Sequence, residues 1–407
     1  MTRSVTTTAR FNNPPSGYLS AADACARLGV KRATLYSYVS RGLVRRLATR
    51  GRTGLYLAED VERLAARSAA RRGHAAVAVG ALRWGDPVLD SAITEVHPDS
   101  PRYRGQSTTA LVEAGTPFEA VAELLWEADP ADPWPSPRSP RTLPTSEPSP
   151  PTPPVWRLVG ALPDLALGDP ARHARGLTNE HDRARCLLRS LSGALIGTPL
   201  SVGSRIAEGL VAGGPARDAN GAATAVDAVL VTCADHELNV STFAARVAAS
   251  AGADLYAAVG AGLYAFTGPR HGAACDRIEG LLADCGARGT AAVVEERLAL
   301  GEALPGFGHP LYPDGDPRTP PLLNLATRLA PNAEDVPELI EGVRSLTGAD
   351  PTVDLGVVAV CHALGLEKGT ATALFALGRI AGWVAHVLEQ RRDGALVRPR
   401  ARYVGVA

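Results

Sequence analysis

Apolar positions recur along most of this chain at helical spacing. After residues 1 to 17, a Thr-, Asn-, Pro- and Ser-rich leader expected to be disordered, Ala21, Ala24, Cys25 and Leu28 share one face. Ser20 is suited to cap that helix and Gly29 to end it. A second helix starts near Arg32, with Leu35, Tyr38 and Val39 inward. Val44 to Leu57, with Gly51 and Gly54, predicts a hairpin wing, and Ala58 to Ala70 a third helix led by Glu59 and Asp60. In residues 75 to 128 the pattern is mixed: Ala78 to Arg83 and Ser91 to His97 read as short strands, Pro117 to Trp126 as a helix. From Val155 to Glu389, Ala, Leu, Gly and Val with interspersed charge predict many ordinary helices, and Thr242 to Gly262 and Gly369 to Glu389 keep the helical period throughout.

Asp129 to Pro154, dense in Pro, Ser and Asp, cannot build a core and is expected to be an extended insert. The resulting division is a leader (1–17), a small helical domain (18–72), a body beginning at 75–128, the insert (129–154) and the rest of the body (155–407). The expected fold class is mainly α.

Charge changes this picture at one end. The formal net charge is zero, yet residues 1 to 72 hold fourteen Lys or Arg against four acids, so a segment of +10 joins a body of −10. Such asymmetry points to a polyanion contact at the N-terminal end. Two short helices joined through Gly29 form a helix-turn-helix pattern, able to lay the second helix in a major groove. Leu19 to Ala24, Leu28-Gly29-Val30, Arg32 to Tyr36 and Gly42-Leu43-Val44 resemble the DNA-binding domain of MerR-type and excisionase-type proteins. The resemblance implies that Lys31, Arg32, Thr34, Tyr36 and Ser37 face bases or phosphates, with Arg45, Arg46, Arg50 and Arg52 gripping backbone. A helical hairpin used only for protein contacts is the plainer alternative.

The six cysteines show no zinc-type spacing and are expected to be free thiols of a cytoplasmic protein. Met-Thr-Arg-Ser-Val-Thr lacks the apolar run of a signal peptide, the longest apolar stretches are interrupted by Gly, His and Lys, and no membrane span is expected. A Gly-rich phosphate loop of dinucleotide or Walker type is missing, so no nucleotide cofactor bound in those ways is expected, and the Cys and His spacing gives no expectation of a metal.

Four polar islands interrupt the apolar body: Asp235 to Asn239, Gly268 to Gly272, Pro305 to His309 running on to Asp316-Pro317-Arg318, and Val353-Asp354. Histidines and a carboxylate at breaks between helices form an acid/base set. His236-Glu237-Leu238-Asn239 with Ser241-Thr242-Phe243, Gly-Pro-Arg-His-Gly, Gly-Phe-Gly-His with Asp-Pro-Arg, and Arg398-Pro399-Arg400 occur in the order seen in citrate synthase, which the body resembles. The resemblance implies a dimeric acyltransferase with large and small helical domains, condensing acetyl-CoA as co-substrate with oxaloacetate. Asp354 would take the methyl proton, His271 would stabilise the enolate, His309 would polarise the ketone, and His236, Arg318, Arg379 and Arg398 would bind the oxo acid, the last from a second subunit. The pattern departs after His309, where Pro310 and Pro313 replace two basic residues. A 2-methylcitrate synthase and a transcription regulator whose body senses acyl-CoA or oxo acid are the alternatives.

Overall fold

The computed structural model describes residues 18–40, 43–48, 54–62, 64, 89–130, 134–136, 152–201, 203–212, 218–399, 403 and 405. It forms two compact units, residues 1–90 and 91–407. The expected strand at Ala78 to Arg83, the wing residues Arg50 and Arg52, most of the third helix after residue 62 and most of the Pro-rich insert lie outside the described residues.

In the first unit, β1 (Tyr18–Leu19), α1 (Ala21–Leu28), α2 (Arg32–Ser40), β2 (Arg46–Ala48) and β3 (Gly54–Leu57) follow in order, the strands pairing antiparallel as β1-β3-β2. Ser20 Oγ accepts the Asp23 amide at 3.2 Å, and Gly29, at φ +63°, ends α1 where a side chain would be strained. Ala24, Leu28, Leu35, Val44, Tyr56 and Val61 close a small core, with residues 58–62 helical as the sequence pattern expects.

The second unit opens with a small antiparallel sheet, β4 (Thr94–Glu95), β5 (Arg102–Tyr103) and β6 (Gln106–Ser107). The strand expected over Ser91 to His97 is therefore only two residues long. Helices follow: α3 (Thr108–Glu113), α4 (Phe118–Trp126), α5 (Pro154–Leu167), α6 (Leu177–Ile196), α7 (Ile206–Val211), α8 (Ala219–Cys233), α9 (Val240–Ser250) and α10 (Leu255–Phe266). The remainder are α11 (Ala274–Arg288), α12 (Thr290–Ala299), α13 (Thr319–Leu329), α14 (Asp335–Thr347), α15 (Val353–Ala363) and α16 (Thr370–Asp393). The period that ran unbroken from Thr242 to Gly262 spans two helices. Gly252 turns the chain at φ +86°, and Asp254 restarts it by accepting the Ala257 amide at 2.9 Å.

Trp134 stacks on Trp126 with ring centroids 6.0 Å apart, and Pro154 stands at the first position of α5, where its missing N–H costs nothing. All six cysteines are free thiols, and five of them are buried.

Helix α16 is long and apolar enough to cross a membrane by those measures alone, but it is buried inside the fold. Two glycines on one face let it lie against the end of α8. A Cβ on Gly378 would meet Leu230 O at 2.6 Å, and one on Gly382 would meet Ala234 O at 2.4 Å and Asp235 Oδ1 at 2.3 Å. That close approach carries Arg379 to the chain just before His236, where its Nε–H donates to Cys233 O at 2.7 Å.

Candidate active site

The loop after α8 carries His236. Tyr103 Oη holds this loop from one side, within hydrogen-bond reach of the Val231, Thr232 and Asp235 carbonyls at 3.0, 3.2 and 3.1 Å. On the other side, the buried Asp235 carboxylate accepts from His386 Nε2 at 3.3 Å. His386 in turn receives Arg246 at Nδ1, 3.5 Å away, so Nε2 bears its proton. Glu237, at φ +55°, then turns the chain sharply, and Asn239 caps α9 by accepting the Thr242 amide at 3.1 Å.

The loop between α12 and α13 brings His309, Tyr312, Asp316 and Arg318 against His236. His236 Nε2 and Tyr312 Oη are hydrogen-bonded at 2.9 Å, and the His236 and His309 rings meet edge-on with centroids 5.9 Å apart. Arg318 lies over the Tyr312 ring, 5.5 Å from its centre, and donates Nε–H and an Nη2–H to the two Asp316 oxygens at 2.9 and 2.8 Å. Asp316 Oδ2 also accepts the Val353 amide at 3.1 Å, at the start of α15. One buried carboxylate therefore fastens the arginine to the first turn of the helix that bears Asp354. Thr352 Oγ1 donates to Asp354 Oδ2 at 3.1 Å and fixes that carboxyl in turn.

His271 enters from the turn between α10 and α11. Its Nε2 lies 2.8 Å from Ser241 Oγ, which links it through Asn239 to the His236 loop. Gly272 makes room for a neighbour. A Cβ there would fall 2.1 Å from the Phe266 ring, which packs edge-on to His271 at 5.1 Å between centroids. Arg270 is exposed.

The electrostatics suit proton transfer. Burial lowers all three histidines, that of His271 to about 4 with the Arg379 charge adding to it, and those of His309 and His236 with further help from Arg318. The rings are neutral near pH 7. Burial raises Asp354 against the opposing pull of Arg318, which makes it a stronger base when ionised. Burial would raise Asp316 too, but there the Arg318 charge and the hydrogen bonds from Arg318 and the Val353 amide prevail and its pKa falls. Burial pushes Tyr312 up to about 12, so it remains a neutral phenol. A cavity of about 240 Å³ opens beside His309 and Tyr312, with Asp316, Asp350 and Pro351 in its wall.

Of the residues singled out from sequence, His236, His309, Arg318 and Asp354 are joined through Tyr312 and Asp316, His271 through Ser241 and Asn239, and Arg379 through Cys233. Arg398 is different. It is exposed near the C-terminal end, where the Val397 amide donates to Ser250 Oγ at 3.1 Å, and among the described residues no contact ties it to the histidines. Tyr312, Thr352 and His386 are participants that the sequence motifs passed over, and Asp316 stood in the Asp-Pro-Arg motif without an assigned role. Among the described residues, no group of three or more His, Cys, Asp or Glu is placed to hold a metal ion.

In the N-terminal unit, Lys31 just before α2 and Arg32, Tyr36 and Ser37 on it are exposed, and Thr34 is half-buried. Arg46 lies over the Tyr36 ring, 6.0 Å from its centre. The Nε–H and Nη2–H of Arg45, also exposed, donate to the buried Asp60 at 2.9 and 3.1 Å.

Three histidines, a carboxylate and two buried arginines on a mostly helical scaffold make up an acid/base set. A family profile described as "Citrate synthase, C-terminal domain" matches residues 191–400, just over half of the chain, and the chain belongs to the citrate synthase family. It is 40% identical over 190 residues to "Putative citrate synthase 2" of Mycobacterium tuberculosis (strain H37Rv), covering 44% of this chain and 51% of that protein. "Citrate synthase 2" of Bacillus subtilis (strain 168) is 34% identical over 191 residues, 44% of this chain and 50% of its own length. "2-methylcitrate synthase 1" of Corynebacterium glutamicum is 34% identical over 187 residues, 44% and 48% of the two chains. The chain thus spans about half the length of the curated relatives it matches.

Solved structures share the fold. Citrate synthase from Thermotoga maritima is 25% identical with a TM-score of 0.61, and the match covers 79% of this chain and 94% of that one. The enzyme from Thermoplasma acidophilum, solved as a ternary complex with carboxymethyl coenzyme A and oxaloacetate, is 22% identical with a TM-score of 0.63 and the same coverage.

Proposed function

We propose that this chain condenses an acyl-CoA thioester with oxaloacetate, with acetyl-CoA as the leading donor and propionyl-CoA as the alternative, giving citrate or 2-methylcitrate and free CoA. The observation that carries the reading is the set of His236, His309, Arg318 and Asp354 joined through Tyr312 and Asp316, which holds both neutral imidazoles and a carboxyl whose pKa is raised. Asp354 takes a proton from the carbon next to the thioester carbonyl. His271 gives an N–H to the thioester oxygen as enolate charge grows there. The enolate carbon attacks the ketone of oxaloacetate, which His309 polarises and then protonates at the new alkoxide, while His236 orients the oxo acid. Arg379 and the remaining N–H groups of Arg318 suit the substrate carboxylates, because a guanidinium pairs with them bidentately. Water then cleaves the thioester intermediate and frees CoA.

Because relatives bearing both names match comparably, and Pro310 and Pro313 take the place of basic residues, acyl length is decided by assay. Thiol release is measured with oxaloacetate and a panel of acetyl-, propionyl- and butyryl-CoA. Turnover with acetyl- or propionyl-CoA, and chromatographic identification of the acid formed, is the expected result. Silence with every donor leaves the ligand-sensing regulator as the better reading. A homodimer belongs to the same proposal, since Arg398 of one copy is then available to the site of the other, and sedimentation of the full chain tests it.

A second reading concerns the N-terminal unit, which we infer binds DNA through α2. Exposed Lys31, Arg32, Tyr36 and Ser37, the Arg46 guanidinium over Tyr36, and the excess of fourteen basic over four acidic residues in 1–72 support it. Binding that weakens steeply as salt rises, with a preference for one sequence, is the expected outcome.

A further inference from the structure

The hydrogen bonds behind His271 decide which of its nitrogens carries the proton. Asn239 has its amide orientation fixed at both ends: Oδ1 accepts the Thr242 amide at 3.1 Å, and Nδ2 points at His236 O, 3.5 Å away. Oδ1 is therefore an acceptor, and Ser241 Oγ, 2.7 Å from it, must direct its only hydrogen there. Trp383 Nε1, which can only donate, lies 3.2 Å from Ser241 Oγ and takes one of the remaining lone pairs. The contact left to His271 Nε2, at 2.8 Å, is acceptable only if that nitrogen donates. Turning the hydroxyl toward His271 instead would set two oxygen lone pairs against each other at the Asn239 contact.

We infer that Asn239, acting through Ser241, is a positioning residue that holds unliganded His271 with its proton on Nε2 and a bare Nδ1, and that turnover requires this arrangement to reverse. Nε2 is taken up by Ser241, so Nδ1 is the nitrogen available to a substrate. A neutral ring with a bare Nδ1 accepts a hydrogen bond and cannot give one. The inference rests on the proposed function at this point, because the thioester oxygen needs an N–H. When the Ser241 hydroxyl swings from Asn239 to His271 Nε2, the ring's one proton leaves Nε2 and one is taken up at Nδ1 through solvent, with no net change in charge. Trp383 keeps its hydrogen bond to Ser241 in both positions, so the hydroxyl turns about a fixed donor.

The test is made on the full chain with ¹⁵N-labelled histidine, reading the two-bond proton–nitrogen pattern of His271, assigned by its loss in His271→Gln. Nε2–H in the unliganded protein near pH 7 is expected, changing to Nδ1–H with oxaloacetate and a non-reactive thioether analogue of acetyl-CoA. Asn239→Asp retains the helix cap and offers a stronger acceptor to the Ser241 hydroxyl. It should keep Nε2–H in the presence of both ligands and lower kcat by about tenfold or more, with a smaller change in KM. Nδ1–H or a doubly protonated ring in the unliganded wild type overturns the inference, as does an Asn239→Asp variant with unchanged tautomer response and kcat. A chain that releases no thiol but has Nε2–H at rest counts against the proposed function and for this assignment of the proton.

Discussion

The two units handle charge in opposite ways. At the start of α2, Lys31 and Arg32 are exposed, while in the body Arg318 is 3% exposed, Arg379 2% and Asp316 4%. Exposed cations meet a polyanion at little desolvation cost, and their attraction is screened by salt. Buried charge is costly unless paired, but once paired it fixes geometry and shifts neighbouring pKa values. Both regimes meet in one small domain: the buried Asp60 carboxylate accepts a bidentate pairing from Arg45, which is itself exposed, and the adjacent Arg46 lies over Tyr36. Basic residues therefore cannot be assigned to a ligand by count alone.

The contrast breaks most sharply at Asp354. Replacing it by Asn should lower kcat by about 10² to 10⁴-fold, the usual value of a positioned base. The same change should raise thermal stability near neutral pH. Asp354 has a folded pKa raised above its unfolded value, so stability falls as pH rises through the interval between the two, and Asn lacks that penalty. For the same reason wild-type turnover should decline on acidification, as Asp354 takes up its proton; a pH–rate profile reads the limb.

Next in size is Asp316→Asn, which leaves the buried Arg318 without its carboxylate and should cost about 3–5 kcal/mol of stability in denaturant titration. Adding Arg318→Met to that variant should restore part of the loss, although not activity. Gly382→Ala drives a methyl toward Ala234 O and Asp235 Oδ1 and should cost about 1–3 kcal/mol, with turnover falling as the His236 loop shifts. The smallest effect is expected at the surface: Arg32→Ala should weaken DNA binding by about 1–3 kcal/mol, seen in a gel shift, and leave thiol release unchanged. A fall in turnover there would dissolve the separation between the two regions.

Much of the site was legible because its chemistry sits in short polar islands, and His271, His309 and Asp354 stand out of an Ala-, Leu- and Gly-rich background. Ser20 and Gly29 marked α1 for the same local reason. What sequence concealed depends on partners far apart in the chain. Asp316 reads as part of a turn until the Val353 amide, 37 residues on, is found bonded to it. Gly378 and Gly382 look like ordinary interruptions until α8 is seen against them, and Gly272 looks open until Phe266 fills its place. The break at Gly252 was masked because Ala and Val continue the apolar pattern across it.

Thiol release from acetyl-CoA or propionyl-CoA with oxaloacetate, compared between the wild-type chain and an Asp354→Asn variant shown by melting to be folded, tests the central claim most directly. The account predicts oxaloacetate-dependent release by the wild type and its loss in the variant at equal or higher melting temperature. No release by the wild type, or equal release by both, would contradict it.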